Sequence, residues 1–382
     1  MIKKLIFGVL TKSTGFFFIV LLNLYYGGED AISRFLLFWG YSIFINACFC
    51  QSYSQFMCGS GDSLDSVYVS FLPAALLALA IILLFSSSFY SLFVFLVAFY
   101  FLNIKVDYAL LRAGNDRLYL SSMAFKNIFG IAAMVMVLPL EWVFASYLLG
   151  EVLKYFCGYI WLNRNAEKYT ENHQVGFRLA KIVGYLKYSS YMIFLSLLLV
   201  FDRTIVFQVS DKHLVDFELL YRFADVLITG ATAGLVPTFV TALGRKDFRY
   251  MNSIIYKSAV YSFGGCAAAV FAGFLWFLSG SKMPFKYYAD DLTMLSSAMI
   301  MLFVVPLSVF AVFTRRWCGT VLSSRILGMY ILLVVGKYFC FLMLIEFGSA
   351  NNVVIYSFFS LALFLLLEAL FLTLLKSRVL QS

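Results

Sequence analysis

Apolar stretches of about twenty residues recur along the whole chain, parted by short polar segments that hold most of the charge. A helix needs about 20 predominantly apolar residues to cross the hydrocarbon core of a bilayer. The pattern predicts about twelve spans: Leu5–Tyr26, Phe35–Phe56, Ser66–Phe85, Tyr90–Leu111, Leu118–Val137, Trp142–Leu162, Gly184–Val209, Phe217–Leu243, Ser253–Leu278, Leu292–Phe313, Thr320–Ile345 and Val353–Leu375. The longest polar stretch, Asn163 to Lys187, divides them into two sets of six and is too short for a folded soluble domain. The expected fold is therefore an all-α polytopic membrane protein with two six-helix lobes. Residues 1–163 form the N-terminal lobe, 164–183 a cytoplasmic linker and 184–382 the C-terminal lobe.

Composition agrees with a lipid-facing surface. Hydrophobic residues make up 63% of the 382 positions and charged residues 13%, whereas a soluble domain has about 45–50% and about 25%. The net charge of +9 is spread over loops, with no basic patch interleaved with aromatics, and nucleic acid is not an expected partner. The positive-inside rule accounts for it. With a cytoplasmic N-terminus, the inner loops and tails collect Lys3, Lys4, Arg112, Arg117, Arg164, Lys168, Arg178, Lys181, Lys187, Arg245, Lys246, Arg249, Lys257, Arg315, Arg316, Arg325, Lys376 and Arg378. The outer loops keep only Arg34, Lys212, Lys282 and Lys286. Both termini are expected in the cytoplasm. Lys12 interrupts the first apolar run and no small-residue cleavage site follows, which predicts a retained first helix rather than a signal peptide.

The seven cysteines lie in or beside apolar spans and give no disulfide framework. No metal or cofactor is expected. The chain has no G-x-x-x-x-G-K-[ST] phosphate loop, so uphill work must draw on an ion gradient, the membrane potential or a partner.

The two halves show a weak internal repeat. Leu10-Thr11-Lys12-Ser13 parallels Leu186-Lys187-Tyr188-Ser189, and Phe35 to Gly61 parallels Phe217 to Gly244. Repeats of equal topology are related by a pseudo-two-fold axis along the membrane normal, with substrate sites between them.

Ionisable residues inside a span are costly and mark candidate sites. The sharpest set lies in the eighth span, where Glu218, Arg222, Asp225, Thr229 and Thr232 follow at spacings of 4, 3, 4 and 3. At 3.6 residues per turn they share one helix face, which predicts a cation held between two carboxylates on a cavity wall. An ion-paired stripe buried between helices for structure alone gives the same spacing. Lys337 lies deep in the eleventh span with no acid near it in sequence. Lys12 and Lys126 sit about two turns inside their spans, within reach of the interface by snorkelling. Lys105 and Asp107 are expected at the cytoplasmic interface, and Asp202 with Arg203 near the outer end of the seventh span. Glu151 and Lys154 are spaced to pair on one face, and Glu368 stands alone. The deep charges lean cationic, with Lys12, Lys126, Lys154, Arg203, Arg222 and Lys337. That points to an anionic guest.

Two segments carry a family resemblance. Leu110-Leu111-Arg112-Ala113-Gly114-Asn115-Asp116-Arg117-Leu118-Tyr119 resembles the loop between the fourth and fifth spans of the multidrug/oligosaccharidyl-lipid/polysaccharide exporter superfamily. Phe201-Asp202-Arg203-Thr204-Ile205-Val206, then Tyr221-Arg222-Phe223-Ala224-Asp225 and Val236-Pro237-Thr238-Phe239, resembles its run across the seventh and eighth spans. Within the superfamily the chain is most similar to the O-antigen (Wzx-type) flippases. It departs from them at Gly59–Asp65, which lacks their basic residues.

The resemblance implies alternating access and an undecaprenyl-diphosphate-linked oligosaccharide, the O-antigen repeat unit, as cargo, with Arg222, Lys337, Lys12 and Arg203 neutralising its diphosphate or acidic sugars. The setting it implies is lipopolysaccharide biosynthesis at a bacterial inner membrane. It further implies Asp225, Glu218 or Glu368 as the site of a coupling H+ or Na+, membrane lipid as surroundings, and polysaccharide polymerase and chain-length proteins as partners. No bond is made or broken, so an enzyme is not expected. The alternative within the same class is a cation-coupled, multidrug-type small-molecule exporter. A membrane-embedded polysaccharide polymerase or ligase is the alternative from another class, and it would need larger outer loops than this chain has.

Overall fold

A computed structural model describes residues 2–26, 31–51, 53–54, 64, 67–85, 88–112, 116–164, 200–233, 235, 239, 242, 247–279, 290–318 and 324–381. Among these the chain is helical, without strands. We number the helices α1 (Ile2–Tyr26), α2 (Ala31–Ile45), α3 (Leu72–Leu83), α4 (Ser88–Arg112), α5 (Asp116–Val135), α6 (Leu140–Arg164), α7 (200–209, the described part), α8 (His213–Ala233), α9 (Phe248–Leu278), α10 (Asp291–Cys318), α11 (Ser324–Phe347) and α12 (Val353–Gln381). Each falls on one predicted span. The apolar runs set the helices because only a fully hydrogen-bonded backbone is tolerated in hydrocarbon. Among the described residues, six segments are long and apolar enough to cross a membrane: Ala31–Cys50, Phe89–Leu111, Phe248–Trp276, Asp291–Arg315, Gly328–Phe347 and Ala350–Leu374. By contrast, α6 and α8 carry acids and bases along their length, and those charges belong to two separate clusters, one in each unit, described below. A π-helical turn, Asn46–Gln51, extends α2, and another, Val67–Phe71, leads into α3.

The chain divides into two compact units, Met1–Leu36 with Phe201–Ser382, and Leu37–Val200. In the first, α1 packs along α8, with Phe16 edge-on to Phe223 at 6.2 Å between ring centroids. Here α10 is central, packed on α8, α9 and α12. Its core is Met251, Ile254 and Ile255 of α9 against Val309 and Phe313 of α10, with Leu235, Phe239 and Ala242. Besides Phe223 of α8, α1 also meets α2, where Phe18 lies 6.2 Å from Phe35 between ring centroids.

In the second unit α5 and α6 pack closely, and α4 packs on α3 and α6. Gly150 explains the closeness, since a Cβ there would lie 2.4 Å from Lys126 Cα of α5. Gly158, two turns on, brings α6 against Val106 of α4 in the same way.

Candidate functional site

Within the first unit, α8 supplies most of the site. Glu218, Arg222 and Asp225 stand on one face, and α7 presents Asp202 and Arg203 to the same region. Arg203 pairs through Nε with Glu218, and its Nη2 lies 3.4 Å from Glu218 Oε2. Arg222 approaches the same carboxylate, Nε to Oε2 at 3.4 Å, and its Nη1 lies 3.5 Å from Asp225 Oδ2. The result is a chain of alternating charge, Arg203–Glu218–Arg222–Asp225. Glu218 is fully buried, while the side chain of Asp225 is 30% exposed, so the chain runs from the interior to an accessible end. Both guanidiniums lie over Tyr221, at 4.9 Å for Arg203 and 5.3 Å for Arg222. That ring is parallel to Phe217, which stacks on Phe358 of α12. Thr232, the last polar residue of the stripe, donates to the carbonyl of Ile228 at 2.9 Å, and the side chain of Thr229 lies outside the described set.

Lys337 of α11 is fully buried and pairs with Asp202 of α7, 135 residues away. The isolation read from the sequence is thus filled by tertiary packing, and Asp202 and Arg203 are buried rather than interfacial. Glu368 is not alone either. Arg315 of α10 grips it with Nε and Nη2, each at 2.5 Å, and the Tyr330 hydroxyl donates to it at 2.5 Å. Arg315, expected in an inner loop, is a buried residue of α10. Lys12 lies on α1, and its side chain is outside the described set.

The second unit holds its own polar cluster. Asn103 Nδ2 donates to Glu151 Oε2 at 2.8 Å, Lys126 lies 3.1 Å from Glu151 Oε1, and Lys154 lies 2.8 Å from Asp107 Oδ1. Two sequence expectations change. Asp107 is buried, not interfacial, because α6 brings Lys154 to it. Glu151 and Lys154, expected to pair with each other, each reach a partner on another helix. Sequence reading undervalued this cluster, although Tyr100, Asn103 and Asp107 already show helical spacing of 3 and 4 on α4.

The deep cations inferred from the sequence are therefore matched, wherever their side chains are described. Arg203 and Arg222 meet Glu218, Lys337 meets Asp202, Lys126 meets Glu151, and Lys154 meets Asp107. These carboxylates offset the cationic excess on which an anionic guest was argued. Among the described residues no cluster of His, Cys, Asp and Glu can hold a metal ion.

No family model and no curated protein matches the sequence. Solved structures do match the fold. A MATE transporter in complex with Br-NRF superposes with a TM-score of 0.68 at 12% identity, over 98% of this chain and 96% of that one. The fold is similar to that of MATE transporters. An outward-facing multidrug resistance MATE family transporter of the MOP superfamily matches with a TM-score of 0.62 at 11% identity, over 98% and 96%. A MOP superfamily transporter from Pyrococcus furiosus, for which a reversed polarity of the binding pocket suggests a different function, matches at 0.60 and 14%, over 98% and 96%. Identities this low carry the helical fold alone.

Proposed function

We propose that this chain is an exporter of the MATE type, driven by a cation gradient, with the Arg203–Glu218–Arg222–Asp225 chain as its coupling site. The observation that carries the reading is charge balance. A row of paired charges with one partly exposed carboxylate attracts no bulky anion, but it changes state when a proton or cation binds. Neutralising Asp225 or Glu218 leaves Arg222 short of a partner in a low-dielectric setting, where an unpaired ion costs several kcal/mol. The protein relieves that cost by moving Arg222 or the helices around it, which is the two-state element a secondary transporter needs. One charge moved across 100 mV is worth about 2.3 kcal/mol, enough to shift such an equilibrium more than tenfold.

Flipping of an undecaprenyl-diphosphate-linked oligosaccharide is the second reading. It is favoured by a specific coincidence: Asp202, Arg203, Arg222 and Asp225, which carry much of the resemblance to O-antigen flippases, all stand in these ion pairs, with Asp225 alone partly exposed. In this reading Arg203, Arg222, Lys337 and Lys12 exchange their carboxylates for the diphosphate as the cargo enters. Lobes at 1–163 and 184–382 joined by 164–183, cytoplasmic termini and an inner-membrane location belong to both readings. The deciding experiment uses proteoliposomes with an imposed proton or sodium gradient and two cargoes. One arm follows efflux of a fluorescent organic cation, and the other follows exposure of the headgroup of a lipid-linked oligosaccharide. Gradient-dependent efflux in the first arm alone supports the exporter, and activity in the second alone overturns it in favour of the flippase.

A further inference from the structure

The first unit carries a surface that the charge chain on α8 does not use. Helix α9 is 31 residues long, about 46 Å at 1.5 Å per residue, whereas the hydrocarbon core is about 30 Å thick. About ten residues are therefore surplus to a crossing. With Leu278 at the far boundary, the stretch from Phe248 to Ser258 lies in the headgroup layer. Packing holds this stretch from one side only. Met251, Ile254, Ile255, Ser258 and Ser262 are buried, and the first three belong to the core shared with α10.

The opposite side is bare and basic. Arg249, Tyr250, Tyr256, Lys257 and Tyr261 are exposed, Tyr256 by 72% and Tyr261 by 67%. At 3.6 residues per turn they fall within an arc of about 140°. Neither Arg249 nor Lys257 has an ion-pair partner among the described residues, in contrast to the paired cations of α7, α8 and α11. From Gly244 to Leu278 the sequence has Arg245, Lys246, Arg249 and Lys257 against a single acid, Asp247. That acid is engaged, since Asp247 Oδ1 accepts from the Tyr250 N–H at 3.1 Å. Further along the same side the helix turns apolar. Val260, Gly264, Ala268 and Phe271 are exposed, and a Cβ at Gly264 would meet nothing within 4 Å. Gly264 and Ala268 thus leave a shallow groove between the rings of Tyr261 and Phe271.

We infer that this face of α9 binds one anionic phospholipid, its phosphate between Arg249 and Lys257 and an acyl chain along the groove at Gly264 and Ala268. The two cations stand about 12 Å apart along the axis, a gap that their long side chains close from both ends. A phosphate diester supplies the anion they lack, in charge-assisted hydrogen bonds. The tyrosines suit the same layer, with hydroxyls toward the headgroup and rings toward the chains. A zwitterionic lipid brings its own ammonium and gains less from this surface. The α8 charges take no part, so the inference holds whichever cargo is moved and on whichever side of the membrane α9 begins.

The test needs no cargo. Purified full-length protein in a nonionic detergent is titrated with phosphatidylglycerol or with phosphatidylcholine of the same acyl chains, and bound lipid is counted by native mass spectrometry. The wild type binds phosphatidylglycerol more tightly than phosphatidylcholine. Each basic residue near an anionic membrane surface is worth about fivefold in affinity, so Lys257→Gln loses about fivefold and Arg249→Gln with Lys257→Gln about thirtyfold. Both side chains are exposed, so the double variant keeps the wild-type Tm. Lys212→Gln, which removes an exposed cation elsewhere, keeps the wild-type affinity. Gly264→Leu fills the groove and weakens phosphatidylglycerol binding with both cations in place. Equal affinity for the two lipids, or undiminished affinity in the double variant or in Gly264→Leu, overturns the inference. Displacement of the lipid by an equal concentration of glycerol 3-phosphate overturns it too, because the site would then hold a free phosphate ester rather than a lipid.

Discussion

Glu218 is the most informative residue to neutralise, because one fully buried carboxylate serves two guanidiniums. Glu218→Gln keeps the volume and removes the charge. At 3.4 Å and an effective dielectric constant of about 20, one such pair is worth about 5 kcal/mol of Coulomb energy before desolvation. Removing one member of a buried pair costs about 3–5 kcal/mol in practice, since the remaining ion stays unpaired. Each kcal/mol moves Tm by about 2–4 °C in domains of 150–250 residues, and by less in longer chains. A drop of about 5–10 °C is expected, measured by thermal unfolding of the detergent-solubilised protein. The decisive comparison is Glu218→Gln with Arg203→Gln. Removing the stranded cation as well should recover part of the loss, so the double variant is more stable than the sum of the single effects. An unchanged Tm in Glu218→Gln, or strictly additive losses, would refute the shared-carboxylate description.

Three further outcomes follow from the packing and the charge pattern. Gly150→Ala should cost about 1–3 kcal/mol by forcing α5 and α6 apart, whereas Gly264→Ala, with open space around its Cβ, should be neutral or slightly stabilising in the same unfolding assay. Tyr330→Phe deletes one hydrogen bond to Glu368 and leaves Arg315 in place, so it should cost about 1.5–3 kcal/mol and less than Arg315→Ala; a larger loss in Tyr330→Phe contradicts the ranking. Reporters fused at Gly114, Lys168, Lys246 and Arg316 should read as cytoplasmic, and those at Gly28, Lys212 and Lys286 as periplasmic; a periplasmic signal at Lys168 would remove the proposed division into lobes.

The helices were legible from the sequence because their cause is local: twenty apolar residues in hydrocarbon have no alternative to a helix. The stripe on α8 was legible for the same reason, since Glu218, Arg222 and Asp225 lie within three turns of each other. What lay beyond reach was pairing between helices. Lys337 and Asp202 are far apart in sequence and meet only through the packing of α7 and α11. Arg315 and Glu368 looked like a loop cation and a solitary acid until α10 and α12 brought them together. Asp107 was assigned to the interface by its distance from the end of its span, but the partner that buries it is Lys154 on α6. Counting deep cations without these partners made the interior look more positive than it is. The fault lies in summing charges along one chain direction, when their cost is decided by neighbours in space.

The central claim, that Asp225 and its partners couple transport to an ion gradient, is tested most directly by gradient-driven flux through purified protein. Wild type and Asp225→Asn are reconstituted in proteoliposomes without ATP, and cargo movement is recorded with the proton or sodium gradient on and off, alongside cargo binding. The account predicts that the wild type moves cargo only with the gradient on. It also predicts that Asp225→Asn, which still binds cargo, gains little from the gradient. An equal gradient response in Asp225→Asn, or transport by the wild type that needs ATP and ignores the gradient, would contradict it.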